Sequence, residues 1–297
     1  MQRLTTPVHK SPRLFSLLQS ARMSTFTLRD TSIKVNLVEG LTKEQLLKFP
    51  AFEKWSTRLL HNLSLQSSNH SHEFHTSPYT LRSITIQSID RFGGESLGFI
   101  KLITDISNSE GESLPGAVFL RGASVGMLIV LQPDDLPKDS EEEKHVLLTI
   151  QPRIAAGTLE MVELPAGMVD KGTFSGSAAK EIKEELGLEI PESEFISLTS
   201  LAIPPSPNPN SEEDIPQAVF PSSGGCDEYI PLFLHEKRVK RATLKEWTGK
   251  LTGLREEGEK IRLRLVPLEN LWCEGARDAK ALSALALWEG LKRTGKL

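Results

Sequence analysis

The chain has 297 residues, a formal net charge of −4, 38% hydrophobic residues and 25% charged residues. This is the composition of an ordinary globular protein with one large or two modest domains. A slightly acidic chain gives no sign of a surface for the backbone of DNA or RNA, and no apolar run reaches the roughly 18 residues that span a bilayer. We therefore expect neither a nucleic-acid partner nor a membrane association. Two cysteines, Cys226 and Cys273, are too few for a disulfide framework and indicate a reducing compartment.

The first 22 residues differ in composition from the rest of the chain. They contain no acidic residue, many serines and threonines, and the basic residues Arg3, Lys10, Arg13 and Arg22. This composition suits a mitochondrial transit peptide and, equally, a disordered tail. Met23 is an alternative start, so we predict a cytoplasmic or mitochondrial protein, depending on where translation begins.

Residues 23–115 are predicted to form a β-rich region with short helices. Residues 44–60 carry apolar side chains at helical spacing with a break at Pro50, which predicts two short helices. The apolar pattern fades after His61, and we expect a polar, serine-rich loop to follow. Strand patterns come next, at 79–92 and 96–105.

Residues 116–297 alternate between strand and helix patterns, which predicts an α/β domain. Strands are predicted at 118–121, 124–131, 146–151, 159–164, 195–203, 228–235 and 260–267, with 124–131 fully buried. Helices are predicted at 243–251 and 276–293, in addition to the one discussed next. A charged excursion at 132–144 and a proline-rich, acidic segment at 204–216 read as loops.

Residues 163–188 contain a glycine-rich turn that runs into a predicted helix with three carboxylates, Glu181, Glu184 and Glu185. The spacings i, i+3 and i+4 place them on one helical face, with neighbouring Cβ atoms about 5–6 Å apart. Like charges at this distance repel, and a hard cation such as Mg²⁺ or Mn²⁺, which prefers oxygen ligands, would offset the repulsion. The alternative is an ordinary solvated helix face with Ile182 and Leu186 on the buried side.

The turn decides between these readings, because the segment resembles the Nudix box. The helix part is Lys-Glu-Ile-Lys-Glu-Glu-Leu-Gly-Leu at 180–188, and Glu-Leu-Pro-Ala-Gly at 163–167 precedes it. The chain departs from the family pattern in two places: Lys180 stands where the box has arginine, and the loop before it lacks the leading glutamate. We interpret both changes as one remodelled loop, since the glutamates on the helix are intact. The resemblance implies a Nudix α/β/α sandwich with a mixed sheet, preceded by the β-rich region.

The resemblance also implies a metal site. Glu181 and Glu185 would be the principal ligands, Glu184 a further ligand or a partner of metal-bound water, and the backbone carbonyl of Ala166 another oxygen ligand. The cofactor would be Mg²⁺, with Mn²⁺ as a substitute. Nudix enzymes hydrolyse a nucleoside diphosphate linked to another group, and metal ions assist by neutralising the diphosphate and activating water.

Three further segments, at 221–228, 253–259 and 278–282, are each weak signals but follow the box in order. Together they make residues 90–290 similar to the ADP-sugar diphosphatases of the ADP-ribose pyrophosphatase group, in its larger eukaryotic form. This resemblance implies a catalytic base in the late acidic loop, with Glu257 the first choice and Glu259 the second. It also implies that Glu228 lies at the substrate or beside the metals and that Arg153 contacts the substrate, although Arg153 alone could equally form a surface ion pair.

The predicted activity is Mg²⁺-dependent hydrolysis of ADP-ribose or ADP-glucose to AMP and a sugar phosphate. A homodimer is expected, in which the N-terminal region supplies adenine contacts across the interface. Two alternatives stay open: a UDP-sugar diphosphatase, and a non-hydrolysing Nudix-fold sensor of nucleotide sugars. Hydrolysis of RNA caps is disfavoured, because it needs a basic surface and the net charge is −4.

Overall fold

The computed structural model describes residues 24–28, 31–94, 96–169, 173–204, 213–253 and 260–297. Two sheets organise them. The first has the strand order β1-β2-β3-β4-β5, in which only the β2–β3 pair is parallel. Its strands are β1 (Thr25–Thr27), β2 (Lys34–Asn36), β3 (Thr80–Phe92), β4 (Ser96–Ser107) and β5 (Ala117–Leu120). The two long strands predicted at 79–92 and 96–105 are thus confirmed as β3 and β4.

Two helices, α1 (Lys43–Lys48) and α2 (Pro50–Ser68), pack on this sheet. The predicted break at Pro50 is confirmed, since this proline opens α2, where its missing N–H costs nothing. The prediction that the helix fades after His61 is wrong. Its last turns are held by Gln66, whose side chain bonds both the N–H and the C=O of Tyr79, at 2.8 and 3.1 Å. A polar tertiary contact of this kind leaves no apolar periodicity in the sequence.

The second sheet is mixed. Its order is β10-β11-β6-β7-β13-β12, with β8 paired to β7 and β9 paired to β6. The β11–β6 pair is parallel and the other pairs are antiparallel. Its strands are β6 (Ser124–Pro133), β7 (His145–Arg153), β8 (Thr158–Glu163), β9 (Ala166–Met168), β10 (Ile196–Ser197), β11 (Leu232–Val239), β12 (Leu251–Thr252) and β13 (Ile261–Pro267).

Strand β6 shows why this part of the chain forms three layers. All ten of its residues are buried, and alternate side chains enter opposite faces of the sheet. Met127 and Ile129 join the core beneath α3 (Phe174–Glu181) and α5 (Arg241–Trp247). Leu128 and Val130 join the core beneath α4 (Leu198–Ala202), α6 (Leu271–Glu274) and α7 (Ala279–Arg293). The predicted α/β/α sandwich with a mixed sheet is confirmed.

Several predicted elements differ from those observed. The helix predicted at 243–251 is α5, which ends at Trp247, and Leu251 begins strand β12. The strand predicted at 195–203 is only two residues long, because Ser197 accepts a hydrogen bond from the N–H of Ser200 at 3.2 Å and caps α4. The strand predicted at 228–235 begins at Leu232, since the residues before it make the side-chain contacts described below. The last helix begins at Ala279 rather than 276, because Asp278 is its N-cap.

The change from the first sheet to the second falls between Leu120 and Ser124, a few residues after the predicted boundary at 115/116. The division into two domains itself stays a prediction. The basic leader predicted at 1–22 lies outside the described residues. Among the helices that the structure describes, none has the length and hydropathy of a membrane span.

Candidate functional site

The helix that carries the three glutamates is not a regular α-helix throughout. Thr173 caps α3 by accepting a hydrogen bond from the N–H of Gly176, and α3 ends at Glu181. Ile182–Leu186 then form a wider π-helical turn, which closes at Gly187 with a φ of 70°. Such turns insert one extra residue into a helix and often lie at functional sites. The regular 3.6-residue spacing assumed from the sequence therefore does not hold across the glutamates.

Glu185 is the most buried of the three carboxylates. Its side chain is fixed from two sides: Gln151 on β7 donates to Oε1 at 3.3 Å, and the backbone N–H of Ala166 donates to Oε2 at 3.2 Å. Burial raises the pKa of Glu185 to about 8, and the nearby Glu181 carboxylate adds to the shift, against the hydrogen bond from Gln151. A carboxylate so placed stays ionised at neutral pH only when a cation is close.

Glu181 lies against the turn that precedes the helix. A Cβ atom at Gly167 would come within 1.7 Å of the Cδ of Glu181, so only glycine leaves space for this carboxylate. Strand β9 holds the turn in place by pairing with β6, with Ala166 opposite Gly126. The glycine of the motif is thus explained by the approach of a side chain, not by a left-handed backbone.

Glu184 has a cationic partner of its own. Its Oε1 lies 3.7 Å from the Nζ of Lys180, and the two side chains are 26% and 66% exposed. The structure therefore brings Glu181 and Glu185 together and pairs Glu184 with the lysine that replaces the box arginine. Exposed pairs of this kind contribute little to stability.

The donor set fits a hard divalent ion, although no ready-made cage exists. Among the described residues, no group of three histidine, cysteine, aspartate or glutamate side chains is arranged to hold a metal. Mg²⁺ does not need such a cage, because it commonly binds through one or two carboxylates and shares its other positions between water and substrate phosphates. Two adjacent carboxylates, one of them buried, meet this requirement. The ligand set of Ala166, Glu181, Glu184 and Glu185 stays a prediction.

Arg153 lies at the end of β7, two residues after Gln151. Its Nε donates to Oε2 of Glu163 at 2.6 Å, and Glu163 belongs to the Glu-Leu-Pro-Ala-Gly segment. Lys280 on α7 approaches the other oxygen of Glu163 at 3.6 Å and bonds Asp278 at 2.8 Å. Sequence reasoning missed Gln151, Glu163 and Lys280 as members of this site, because they are far apart in the chain.

Glu228 precedes β11 in the chain and contacts Ser124, the first residue of β6. It accepts a hydrogen bond from Oγ of Ser124 at 2.6 Å and lies 3.3 Å from Nη1 of Arg121. Ser124 pairs with Met168, next to the glycine turn of the candidate site. The neighbouring Asp227 accepts from the N–H groups of Arg121 and Gly122 and so fixes the segment. The expected closeness of Glu228 to the metals or substrate stays a prediction.

The two candidates for the catalytic base, Glu257 and Glu259, lie outside the described residues. The chain after them enters β13, where Arg262 pairs with Ile150 of β7. Ile150 directly precedes Gln151, the hydrogen-bond donor to Glu185. Strand β13, which follows these glutamates in the chain, thus pairs beside the candidate site. The assignment of a catalytic base to this loop stays a prediction.

Residues 137–285, half of the chain, match the NUDIX domain family. The chain belongs to the Nudix family. Members of this family generally use divalent metal ions such as Mg²⁺ and act on small nucleotide substrates.

Two comparisons with individual proteins accompany this match. The chain is 39% identical over 219 residues to "Nudix hydrolase 14, chloroplastic" from Arabidopsis thaliana; the alignment covers 73% of this chain and 65% of the relative. The chain thus spans just under two thirds of that relative's length. A solved structure of an ADP compounds hydrolase aligns over 74% of this chain and 97% of its own, with 15% identity and a TM-score of 0.43.

Proposed function

We propose that this Nudix protein is a hydrolase that cleaves the diphosphate bond of an ADP-sugar, ADP-ribose or ADP-glucose, with Mg²⁺. Water adds to one phosphorus atom, and the products are AMP and a sugar phosphate. The observation that carries the proposal is the placement of Glu185. It is a buried carboxylate beside Glu181, oriented by Gln151 and by the N–H of Ala166, and burial without a counter-charge would be costly.

The residues of the site have distinct tasks in this proposal. Glu181, Glu185 and the carbonyl of Ala166 would hold the metal, with Glu184 completing the set after leaving Lys180. When bound, Mg²⁺ supplies charge neutralisation at the diphosphate and lowers the pKa of a water molecule. Mn²⁺ is expected to substitute, because it prefers the same oxygen ligands.

Substrate contacts and proton transfer fall to other residues. Arg153, whose side chain is 40% exposed, offers a cation to the diphosphate. Glu228 contacts Arg121 and Ser124 and would orient these two side chains towards the substrate. Glu257 is the first choice for the group that accepts the proton of the attacking water, and Glu259 is the second.

We also propose a homodimer in which the N-terminal region contributes to the adenine pocket, as the family resemblance implies. For localisation, we propose that a chain starting at Met1 enters mitochondria and one starting at Met23 stays in the cytoplasm. The basic, acid-free composition of residues 1–22 supports this, and the name of the plant relative assigns that protein to another organelle, the chloroplast.

The alternative with a specific observation behind it is a sensor that binds a nucleotide sugar without hydrolysing it. Its support is Glu184, which is paired with Lys180 at 3.7 Å and so has a partner other than a metal. The second alternative is a UDP-sugar diphosphatase. Its substrate differs from an ADP-sugar only in the nucleobase.

The test is nucleotide release by purified protein offered ADP-ribose, ADP-glucose, UDP-glucose and NADH, each with Mg²⁺ and with EDTA. We expect metal-dependent AMP from an ADP-sugar. UMP from UDP-glucose as the main product would favour the uridine alternative. Tight binding of an ADP-sugar without any product would establish the sensor.

A further inference from the structure

Glu163 is a buried carboxylate with two cationic neighbours. Its side chain is only 9% exposed. Arg153 bonds its Oε2 at 2.6 Å, while the Nζ of Lys280 lies 3.6 Å from its Oε1. The first contact is a full charge-assisted hydrogen bond and the second is longer than one. Glu163 thus has one engaged partner and one partner at a distance.

The two cations differ in freedom. Arg153 is 40% exposed and lies at the end of a strand, so its guanidinium can turn towards solvent or a ligand. Lys280 is 13% exposed and is held by Asp278, at 2.8 Å from Oδ1. Asp278 is fixed in turn, because its Oδ2 accepts the backbone N–H of Leu164 at 2.9 Å. Lys280 therefore stays beside Glu163 whatever Arg153 does.

This arrangement meets a difficulty in the proposed function. While its Nε is bonded to Glu163, Arg153 can offer an anionic substrate only its Nη groups and only from its present position. Its full departure would leave the buried carboxylate with the 3.6 Å contact of Lys280 alone. Removal of one member of a buried pair is strongly unfavourable when nothing replaces it. The 3.6 Å contact of Lys280 can shorten to the ~2.8 Å of a charge-assisted hydrogen bond by a small movement of its flexible stem.

We propose that Lys280 is the second counter-ion of Glu163, and that it allows Arg153 to leave this carboxylate and bind the diphosphate of the substrate. The inference rests on the proposed function and adds to it a positioning residue on the last helix. Lys280 does not touch the substrate. It gives Glu163 a positive partner whether Arg153 is bonded to Glu163 or to the substrate. The movement of Arg153 therefore costs little free energy.

Lys280→Met tests this directly. Without the lysine, Arg153 remains bound to Glu163, and the substrate must compete with that carboxylate. Because Arg153 binds the diphosphate in the ground state and in the transition state alike, we expect KM to rise about tenfold with kcat within about twofold. Lys280→Arg should restore KM, since it keeps a cation at this position.

The decisive variant is Glu163→Gln in the Lys280→Met background. The amide holds Arg153 less tightly and needs no counter-ion, so the double variant should return to within about twofold of the wild-type KM. If Lys280 had only a structural role, the effects of Lys280→Met and Glu163→Gln on KM should add, and the double variant should be worse than either single variant. Lys292→Met, on the same helix and paired with Glu141 at 3.6 Å, is the matched control and should leave KM unchanged.

Thermal unfolding of every variant separates misfolding from the effect on KM. An unchanged KM in Lys280→Met, or a raised KM that Glu163→Gln fails to rescue, would overturn the inference. If the wild type hydrolyses no ADP-sugar, the proposed activity fails, and the same series is then measured by calorimetry as the Kd for ADP-ribose. The expected pattern of loss and rescue in Kd would uphold the role of Lys280, and its absence, or no binding at all, would reject it.

Discussion

Gly167 lies against the carboxylate of Glu181 so closely that a single added Cβ atom would come within 1.7 Å of the Cδ of that side chain. The turn and the helix of the motif can therefore pack this closely only because residue 167 has no Cβ atom. Because Glu181 is also the neighbour of the buried Glu185, a change at position 167 reaches both carboxylates.

Gly167→Ala should displace Glu181 and disable the site. We expect the rate of ADP-sugar hydrolysis to fall by about 10²-fold, since a displacement near 1 Å at a catalytic group has this effect. The crowding should also lower the free energy of unfolding by about 1–3 kcal/mol. Gly224→Ala is the matched control, because a Cβ there would meet no atom within 4 Å. Equal activity in the two variants would refute the packing argument.

The three glutamates should not be equivalent. Glu185→Gln is expected to lower kcat by about 10²–10³-fold, with the fold intact. The amide keeps the shape of the carboxylate, its oxygen can still accept from the N–H of Ala166, and its NH2 group can donate to the oxygen of Gln151 once that side-chain amide turns over. Glu184→Gln, which alters a partly exposed pair with Lys180, should cost about tenfold or less. Initial rates and Mg²⁺ titrations of both variants measure this order, and a larger loss at Glu184 than at Glu185 would make the partly exposed carboxylate, not the buried one, the principal metal ligand.

His235 should make the protein less stable in mild acid. It is buried on β11, its Nε2 has no hydrogen-bond partner among the residues that the structure describes, and its Nδ1 lies 3.7 Å from Glu194. Burial lowers the pKa of His235 below its ordinary value of 6.5, against the raising effect of Glu194. The unfolded chain therefore binds this proton more readily, and stability should fall as pH drops below 6.5, by up to about 1.4 kcal/mol per pH unit. Urea unfolding of wild type and His235→Leu between pH 7.5 and 5 tests this, because only the wild type should show this component.

Gly290 offers a stabilising change away from the site. It lies within α7, its φ is not positive, and a Cβ there would meet no atom within 4 Å. Gly290→Ala should raise the free energy of unfolding by about 0.5–1 kcal/mol, because alanine loses less backbone entropy in a helix. The midpoint of denaturant unfolding is the measurement, with activity expected to stay at the wild-type level; a lower midpoint would indicate a contact made by the glycine backbone.

The parts of the fold that could be predicted are those with strong local patterns. Strand β6 is a continuous apolar run, and α2 begins at a proline, so both were found from the sequence. Residues 195–203 combine β-branched and aromatic side chains that favour a strand, yet the cap at Ser197 starts a helix. A hydroxyl that can bond either the local backbone or water gives no periodic signal.

In the candidate site too, only the residues with a local sequence pattern could be predicted. Glu181 and Glu185 follow from their spacing beside a glycine turn. Gln151 and Glu163 could not be assigned, since their roles depend on partners elsewhere, such as Glu185, 34 residues from Gln151. Lys180 and Glu184 are four residues apart, so their ion pair could have been expected from helical spacing, whereas the wide turn at 182–186 gave no signal in the sequence.

The bond between Asp278 and the N–H of Leu164 joins residues 114 positions apart, and it sets a time order on the assembly of the site. During synthesis the glycine turn and the glutamate helix emerge long before the last helix. Contacts between distant residues form late, since the entropy of closing the intervening loop must be overcome first. Pairing with β6 can place the turn early, but its bond to the last helix is added only when the end of the chain has docked. A nascent or truncated chain therefore carries the whole motif without this tie.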